Sequence, residues 1–281
     1  MKILFKLVCA VALLGTLALT LAAPADAAGA TPSASASASA QAKPTIVLVH
    51  GAFAESASWN DVARALRAQH YPVIAAANPL RGLKYDADHV GALLASIQGP
   101  VVLVGHSYGG SVISAAAAGK ANVRALVYVA AFAPEAGEAA VDISARFPGS
   151  TLDATLLPPV VQADGAKDLY IQQDKFPAQY AADVAPALAN LMALTQRPIA
   201  AGAFSESVPA VAWKNVPSWF IYGDADKCIP PSALGYMATR AKSVKTVVVK
   251  GGSHAVMASN PKQVASLIVE AANAIGAAAR P

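Results

Sequence analysis

Short β-branched runs alternate along the chain with stretches whose apolar residues recur every three or four positions. Residues 45–50 (TIVLVH) have an uninterrupted apolar middle, the pattern of a strand buried on both faces of a parallel sheet, and they end at a turn containing Gly51. Trp59, Val62, Ala63 and Leu66 then recur at helical spacing, and residues 72–76 read as the next strand. The rhythm continues with a helix over 86–97, a strand over 101–104, a helix over 108–118 and a strand over 123–130. Further on come a strand over 218–222, a helix over 232–240 and a strand over 245–249. A last helix opens at Asn260-Pro261, an N-cap followed by a first-turn proline, and sets Val264, Leu267, Ile268, Ala271 and Ile275 on one stripe. Strands separated by helices predict an α/β domain with a mostly parallel sheet flanked by helices.

Between about residues 133 and 215 this rhythm breaks. Prolines stand at 134, 148, 158, 159, 177, 186, 198 and 209 among weak helical patterns. A structureless loop of that length does not fit a compact domain, so the segment is expected to be a mostly helical cap rising from the carboxyl edge of the sheet. No internal repeat is visible.

The N-terminal segment changes the picture of where the protein works. Lys2 and Lys6 precede an apolar stretch that closes with Pro24-Ala25-Asp26-Ala27, a small-x-small cleavage signature. Residues 1–27 therefore read as a signal peptide, 28–42 as a flexible Ser/Ala-rich linker and 43–281 as the folded domain. Export makes the expected location secreted or periplasmic, with no membrane association after cleavage. The alternative, a retained anchor, is opposed by Gly15, Thr16 and Thr20, which interrupt the apolar stretch. Cleavage removes Cys9 and leaves Cys228 alone, so no internal disulfide can staple the fold. Of the 281 residues 55% are apolar and 14% charged, which excludes a disordered or collagen-like chain. The net charge of +4 comes from scattered lysines and arginines without a basic run, so a nucleic-acid partner is not expected.

One motif carries chemistry. The strand over 101–104 runs into Gly105-His106-Ser107-Tyr108-Gly109-Gly110 and then a helix, the context a G-x-S-x-G elbow requires. The sharp turn strains the serine backbone, and side-chain-free neighbours let strand and helix approach while Oγ projects from the sheet edge. The bland reading is a glycine-rich turn in which Ser107 caps the helix; the strand-turn-helix context favours the nucleophile. A serine hydroxyl needs an imidazole to accept its proton and a carboxylate to fix that imidazole's tautomer. His254, in Gly252-Ser253-His254 after the last strand, stands at the same sheet edge. His50 and His106 are expected to order loops, and His70 and His89 belong to helices or their ends. The loop Gly223-Asp224-Ala225-Asp226 supplies the acid. Asp226 is favoured because Asp224, next to the turn glycine, suits an Asx turn; Glu135 and Glu138 are remoter choices. The oxyanion donors are assigned to the N–H groups of Tyr108, at the helix start, and Ala52, in the turn after the first strand. No metal or other cofactor is expected, since no histidine pair or carboxylate cluster shows ligand spacing.

His50-Gly51-Ala52-Phe53, the serine elbow, Gly223-Asp224-Ala225-Asp226 and Gly252-Ser253-His254 together resemble the α/β-hydrolase superfamily over residues 45–277. Within it the chain is similar to the branch of plant methylesterases, hydroxynitrile lyases and related bacterial esterases. The resemblance implies a six-stranded sheet, a helical cap over the insertion and a serine hydrolase acting on small carboxylic esters. Lyases of this branch carry a threonine just after the first strand and a lysine after the catalytic histidine; here Gly51 and Ala255 stand there. Hydrolysis is therefore expected over C–C cleavage. Cofactor-free perhydrolysis, as in haloperoxidases, and a non-catalytic small-molecule binder are the alternatives on the same fold. Phe53, Phe132 and Trp213, with Leu156, Leu157, Phe176 and Phe204, are candidates for the substrate pocket.

Overall fold

The computed structural model describes residues 43–278; the expected signal peptide and linker, residues 1–42, lie outside the described residues. In chain order the elements are β1 (Thr45–Val49), α1 (Asn60–Ala68), β2 (Val73–Ala76), α2 (Leu83–Ser96), β3 (Val101–His106), α3 (Tyr108–Ala116) and β4 (Val123–Val129). The insertion adds α4 (Ala140–Arg146), β5 (Val160–Val161), β6 (Lys167–Leu169), α5 (Phe176–Tyr180), α6 (Pro186–Thr195) and β7 (Ile199–Ala200). The main rhythm then resumes with β8 (Ser218–Gly223), α7 (Pro231–Arg240), β9 (Lys245–Val249), α8 (Val256–Ser259) and α9 (Pro261–Ala278).

The main sheet has six strands in the order β2-β1-β3-β4-β8-β9, and every pairing is parallel. From β1 the chain steps outward to β2, returns to β3 on the other side of β1 and then proceeds the other way. That reversal opens a crevice beyond the carboxyl ends of β1 and β3, where ligands of open α/β sheets bind. All six residues of β3 are buried, as expected of a strand covered on both faces. Helices α1 and α9 pack together, as do α2 and α3, with α9 laid on β4 and β8 and α3 on β3. The predicted stripe of the last helix, Val264, Leu267, Ile268, Ala271 and Ile275, is buried throughout. Trimming a buried leucine or isoleucine of this kind to alanine costs about 2–5 kcal/mol. No helix among the described residues is long and apolar enough to cross a membrane.

The cap departs from the expected mostly helical lid. Beside its helices it holds a three-stranded antiparallel sheet, β5-β6-β7. β5 and β6 form a hairpin closed by Gln162 N–H to Ala166 carbonyl (2.8 Å) and Gly165 N–H to Gln162 carbonyl (2.9 Å). Gly165 takes φ +83°, a conformation that favours glycine. The Asp164-Gly165 pair was the available signal. Its flanking strands of two and three residues are too short for a period-2 pattern to register.

Candidate active site

Ser107 sits between β3 and α3 at φ 54° and ψ −126°, strained backbone for a residue with a side chain. The turn is held from both sides. Its carbonyl accepts N–H bonds from Gly110 (2.9 Å) and Phe132 (3.1 Å), and its own N–H donates to Val129 (3.2 Å). The flanking glycines are required by space: a Cβ on Gly105 would lie 2.6 Å from the Gly109 carbonyl oxygen, and one on Gly110 2.2 Å from that of Phe132. Gly51 packs equally close, since a Cβ there would lie 2.6 Å from Ser107 Cβ.

His254 follows β9 and is fully buried apart from the face it turns to the cavity that Ser107 also lines. Its Nδ1–H donates to Asp226 Oδ2 at 2.7 Å. Asp226 Oδ1 accepts the backbone N–H groups of Cys228 (2.8 Å) and Ile229 (2.9 Å), so both carboxylate oxygens are used and the ring is fixed with Nε2 unbonded. Among the described residues no hydrogen bond joins Ser107 Oγ to His254 Nε2; such bonds commonly tighten only when substrate is in place. Asp224 is exposed and accepts the Gly251 N–H (2.6 Å), tying its loop to the histidine loop. Glu138 pairs with Arg146 (3.0 Å) and Arg240 (2.8 Å), and Glu135 pairs with Lys214, so neither reaches His254.

The other buried histidines order loops. His50 donates Nδ1–H to the Gly51 carbonyl (3.0 Å) and accepts the Asn78 N–H at Nε2 (3.0 Å). Burial pulls its pKa down to about 4, so the ring is neutral. His106 donates Nε2–H to the His254 carbonyl (3.0 Å), and burial lowers its pKa well below the usual imidazole value. His70 and His89 are exposed.

Ala52 lines the cavity beside Ser107. The Ala52 and Tyr108 N–H groups have no hydrogen-bond partner among the described residues, and Tyr108 N–H belongs to the first, positive turn of α3. The Tyr108 ring is wholly buried, its hydroxyl donating to Asp86 Oδ2 at 2.9 Å.

The cavity between sheet and cap measures about 610 Å³. Of the residues named from the sequence, Phe53, Phe132, Leu156 and Phe204 line it. Trp213 does not: it stands outside this cavity, its indole N–H donating to the Pro134 carbonyl (2.9 Å) at the base of the cap. Leu157 is exposed, and Phe176 is buried inside the cap, stacked on Tyr180 at 4.8 Å. Sequence patterning cannot separate an aromatic that packs from one that lines, because both are apolar positions in a segment without clear periodicity.

Three residues of the cap were missed. Tyr180 donates its hydroxyl to the Ala52 carbonyl (3.0 Å), accepts the Ala255 N–H at its own carbonyl (2.9 Å) and sets its ring edge-on to His254 (4.8 Å). Gln179 donates to the Lys227 carbonyl (2.9 Å) in the Asp226 loop. Asp183 accepts the Ser253 N–H (3.1 Å) and hydroxyl. The segment 179–183 thus holds the turn after β1, the acid loop and the histidine loop together. Cys228 brings its sulfur near Asp226 and His254, the three donor atoms lying within 4.8 Å of one another. Burial pushes its thiol pKa well above the usual value, and Asp226 and His254 already bond each other, so the trio is a poor preformed metal site.

Residues 46–267 match the model of the "Alpha/beta hydrolase family". The chain belongs to that family. It is 33% identical over 132 residues to a carbendazim-hydrolysing esterase of Nocardioides sp., covering 39% of this chain and 54% of that protein. This chain therefore matches only about half the length of that relative. It is 28% identical over 245 residues to a pimeloyl-[acyl-carrier protein] methyl ester esterase of Xanthomonas campestris pv. campestris, covering 80% of this chain and 93% of that protein. Crystalline polyneuridine aldehyde esterase superposes with a TM-score of 0.70 at 17% identity, over 81% of this chain and 98% of that one. At that identity the likeness shows a shared fold and nothing finer.

Proposed function

We propose that the protein is an exported serine hydrolase that cleaves small carboxylic esters, with Ser107, His254 and Asp226 as its triad. The observation that carries this reading is the strained Ser107, opening onto the same cavity as a histidine whose Nδ1–H is fixed by a doubly anchored carboxylate. Ser107 Oγ attacks the ester carbonyl carbon while its proton passes to His254 Nε2. Asp226 stabilises the imidazolium and does not take its proton. The N–H groups of Ala52 and Tyr108 hold the oxyanion. Collapse breaks the bond to the alkoxy oxygen, which leaves with the proton from His254. Water then gives a proton to His254 and its hydroxide to the acyl carbon, releasing the acid and restoring Ser107.

The esterase names of the Nocardioides and Xanthomonas relatives support the reaction class. C–C lyase chemistry is disfavoured because Gly51, packed on Ser107, leaves no room for a hydroxyl-bearing side chain, and Ala255 offers no cation. Export rests on the leader pattern of residues 1–27. The test is hydrolysis of p-nitrophenyl acetate and butyrate by the wild type and the Ser107→Ala variant. Turnover that disappears in the variant is expected; no turnover of either ester by the wild type contradicts the proposal.

A further inference from the structure

The wall chemistry of the cavity bears on which esters enter. Apart from His254, no basic side chain among the described residues lines it, and its one carboxylate is Asp153. Asp153 is exposed and makes no ion pair or side-chain hydrogen bond among the described residues. The nearby cations are turned to other partners: Arg146 bonds Glu138, Lys175 the Ala154 carbonyl and Lys227 the Ala178 carbonyl. Its apolar lining includes Val141 of α4, Phe147 just after that helix, Leu156 ahead of β5, Leu169 of β6, Phe204 after β7 and Ile229 beyond Asp226, with the uncharged hydroxyls of Ser144 and Ser150 beside them. An ester seated at Ser107 has an acyl and an alkoxy side, and the uncharged lining is available to both.

We propose that this cavity selects neutral esters with apolar groups on both sides of the carbonyl and rejects esters that carry an ionised carboxylate, with Asp153 as a specificity-determining residue at its wall. The proposal rests on the hydrolase reading above for the site's reaction and on the cavity walls for the selection. A carboxylate carried into these walls loses its water without gaining a cation, and meets Asp153 besides. A volume of about 610 Å³ lies in the range that encloses drug-sized ligands, so acetates leave most of it unfilled. Each added methylene that finds the wall raises kcat/KM about threefold.

The test pairs two esters of similar length, 4-nitrophenyl hexanoate and mono-4-nitrophenyl glutarate, and reads the ratio of their kcat/KM values. The expected ratio favours the hexanoate by about a hundredfold. Asp153→Asn narrows it about threefold, a modest effect because the carboxylate is exposed. Ser144→Lys narrows it about tenfold, since Ser144 is an exposed position on the cavity wall where an ammonium can stay hydrated and still face the substrate. Equal kcat/KM values for the two esters, or a ratio moved by neither substitution, overturn the selectivity. The same pair is measured for binding to Ser107→Ala by calorimetry. If the wild type hydrolyses neither ester yet the variant binds the hexanoate more tightly, the hydrolase reading fails and the selectivity stands. If the variant binds both equally or neither, the selectivity fails.

Discussion

Asp226 is anchored through Oδ1 by two backbone N–H groups and spends Oδ2 on His254, so its value to the site is directional as much as electrostatic. Asp226→Asn keeps the shape but offers an N–H or an uncharged oxygen to the ring, favouring the wrong tautomer. The expected result is a fall in kcat of about 10³–10⁴-fold on p-nitrophenyl butyrate, with the fold unchanged by circular dichroism. Gly110→Ala tests the elbow as structure. Its Cβ would lie 2.2 Å from the Phe132 carbonyl oxygen, so urea denaturation should show a loss of about 1–3 kcal/mol. At this scale much was legible, because a nucleophile elbow is a contiguous string and its glycines have one steric reason. Choosing Asp226 over Asp224 followed from turn chemistry, and Asp226 is the one that reaches the ring. Trp213 was misassigned because an aromatic that seals the cap's base and one that lines a pocket look alike in one dimension.

Helix α5 has five residues, yet with the turn after it it ties together three loops that come from distant parts of the chain. Tyr180 is its centre. Tyr180→Phe keeps the ring against His254 and removes the hydroxyl that holds the Ala52 carbonyl, leaving that acceptor buried without its donor. The expected outcome is a kcat lowered about five- to tenfold with KM nearly unchanged and global stability lowered by about 1–2 kcal/mol. A kcat for Tyr180→Phe equal to that of the wild type would show that the hydroxyl does not position the turn. None of this was readable beforehand. Elements this short carry no periodicity, and the bonds that matter run between side chain and backbone across 48 to 128 residues of sequence. The strands and helices of the main domain were legible because long runs of buried positions record their period. Their ends moved by a few residues where polar contacts extend them, as at α2, whose first turn is fixed by Asp86 accepting the Arg81 N–H (3.0 Å).

For the molecule as a whole, the buried neutral histidines make stability depend on pH. The unfolded chain protonates its imidazoles below about 6.5, whereas the folded protein keeps His50 neutral down to about 4. The contribution of these histidines is therefore full above pH 6.5 and falls as pH drops from 6.5 towards 4, by roughly 3 kcal/mol for His50, with His106 acting in the same direction. The urea midpoint should accordingly be lower at pH 5 than at pH 7.5; an equal or higher midpoint at pH 5 would contradict the buried, uncharged rings. The crossing of the chain at β1 and β3 then explains why the chemistry gathers at one edge. It sets the Gly51-Ala52 turn beside Ser107, while β8 and β9 deliver the acid and histidine loops to the same carboxyl side. The central claim is that Ser107 is the activated nucleophile of this gathering. Labelling with a fluorophosphonate followed by peptide mapping tests it most directly. A single adduct on Ser107, abolished in Ser107→Ala and slowed at least a hundredfold in His254→Ala, is the expected result; an adduct on another residue, or none on an enzyme that turns over esters, would contradict it.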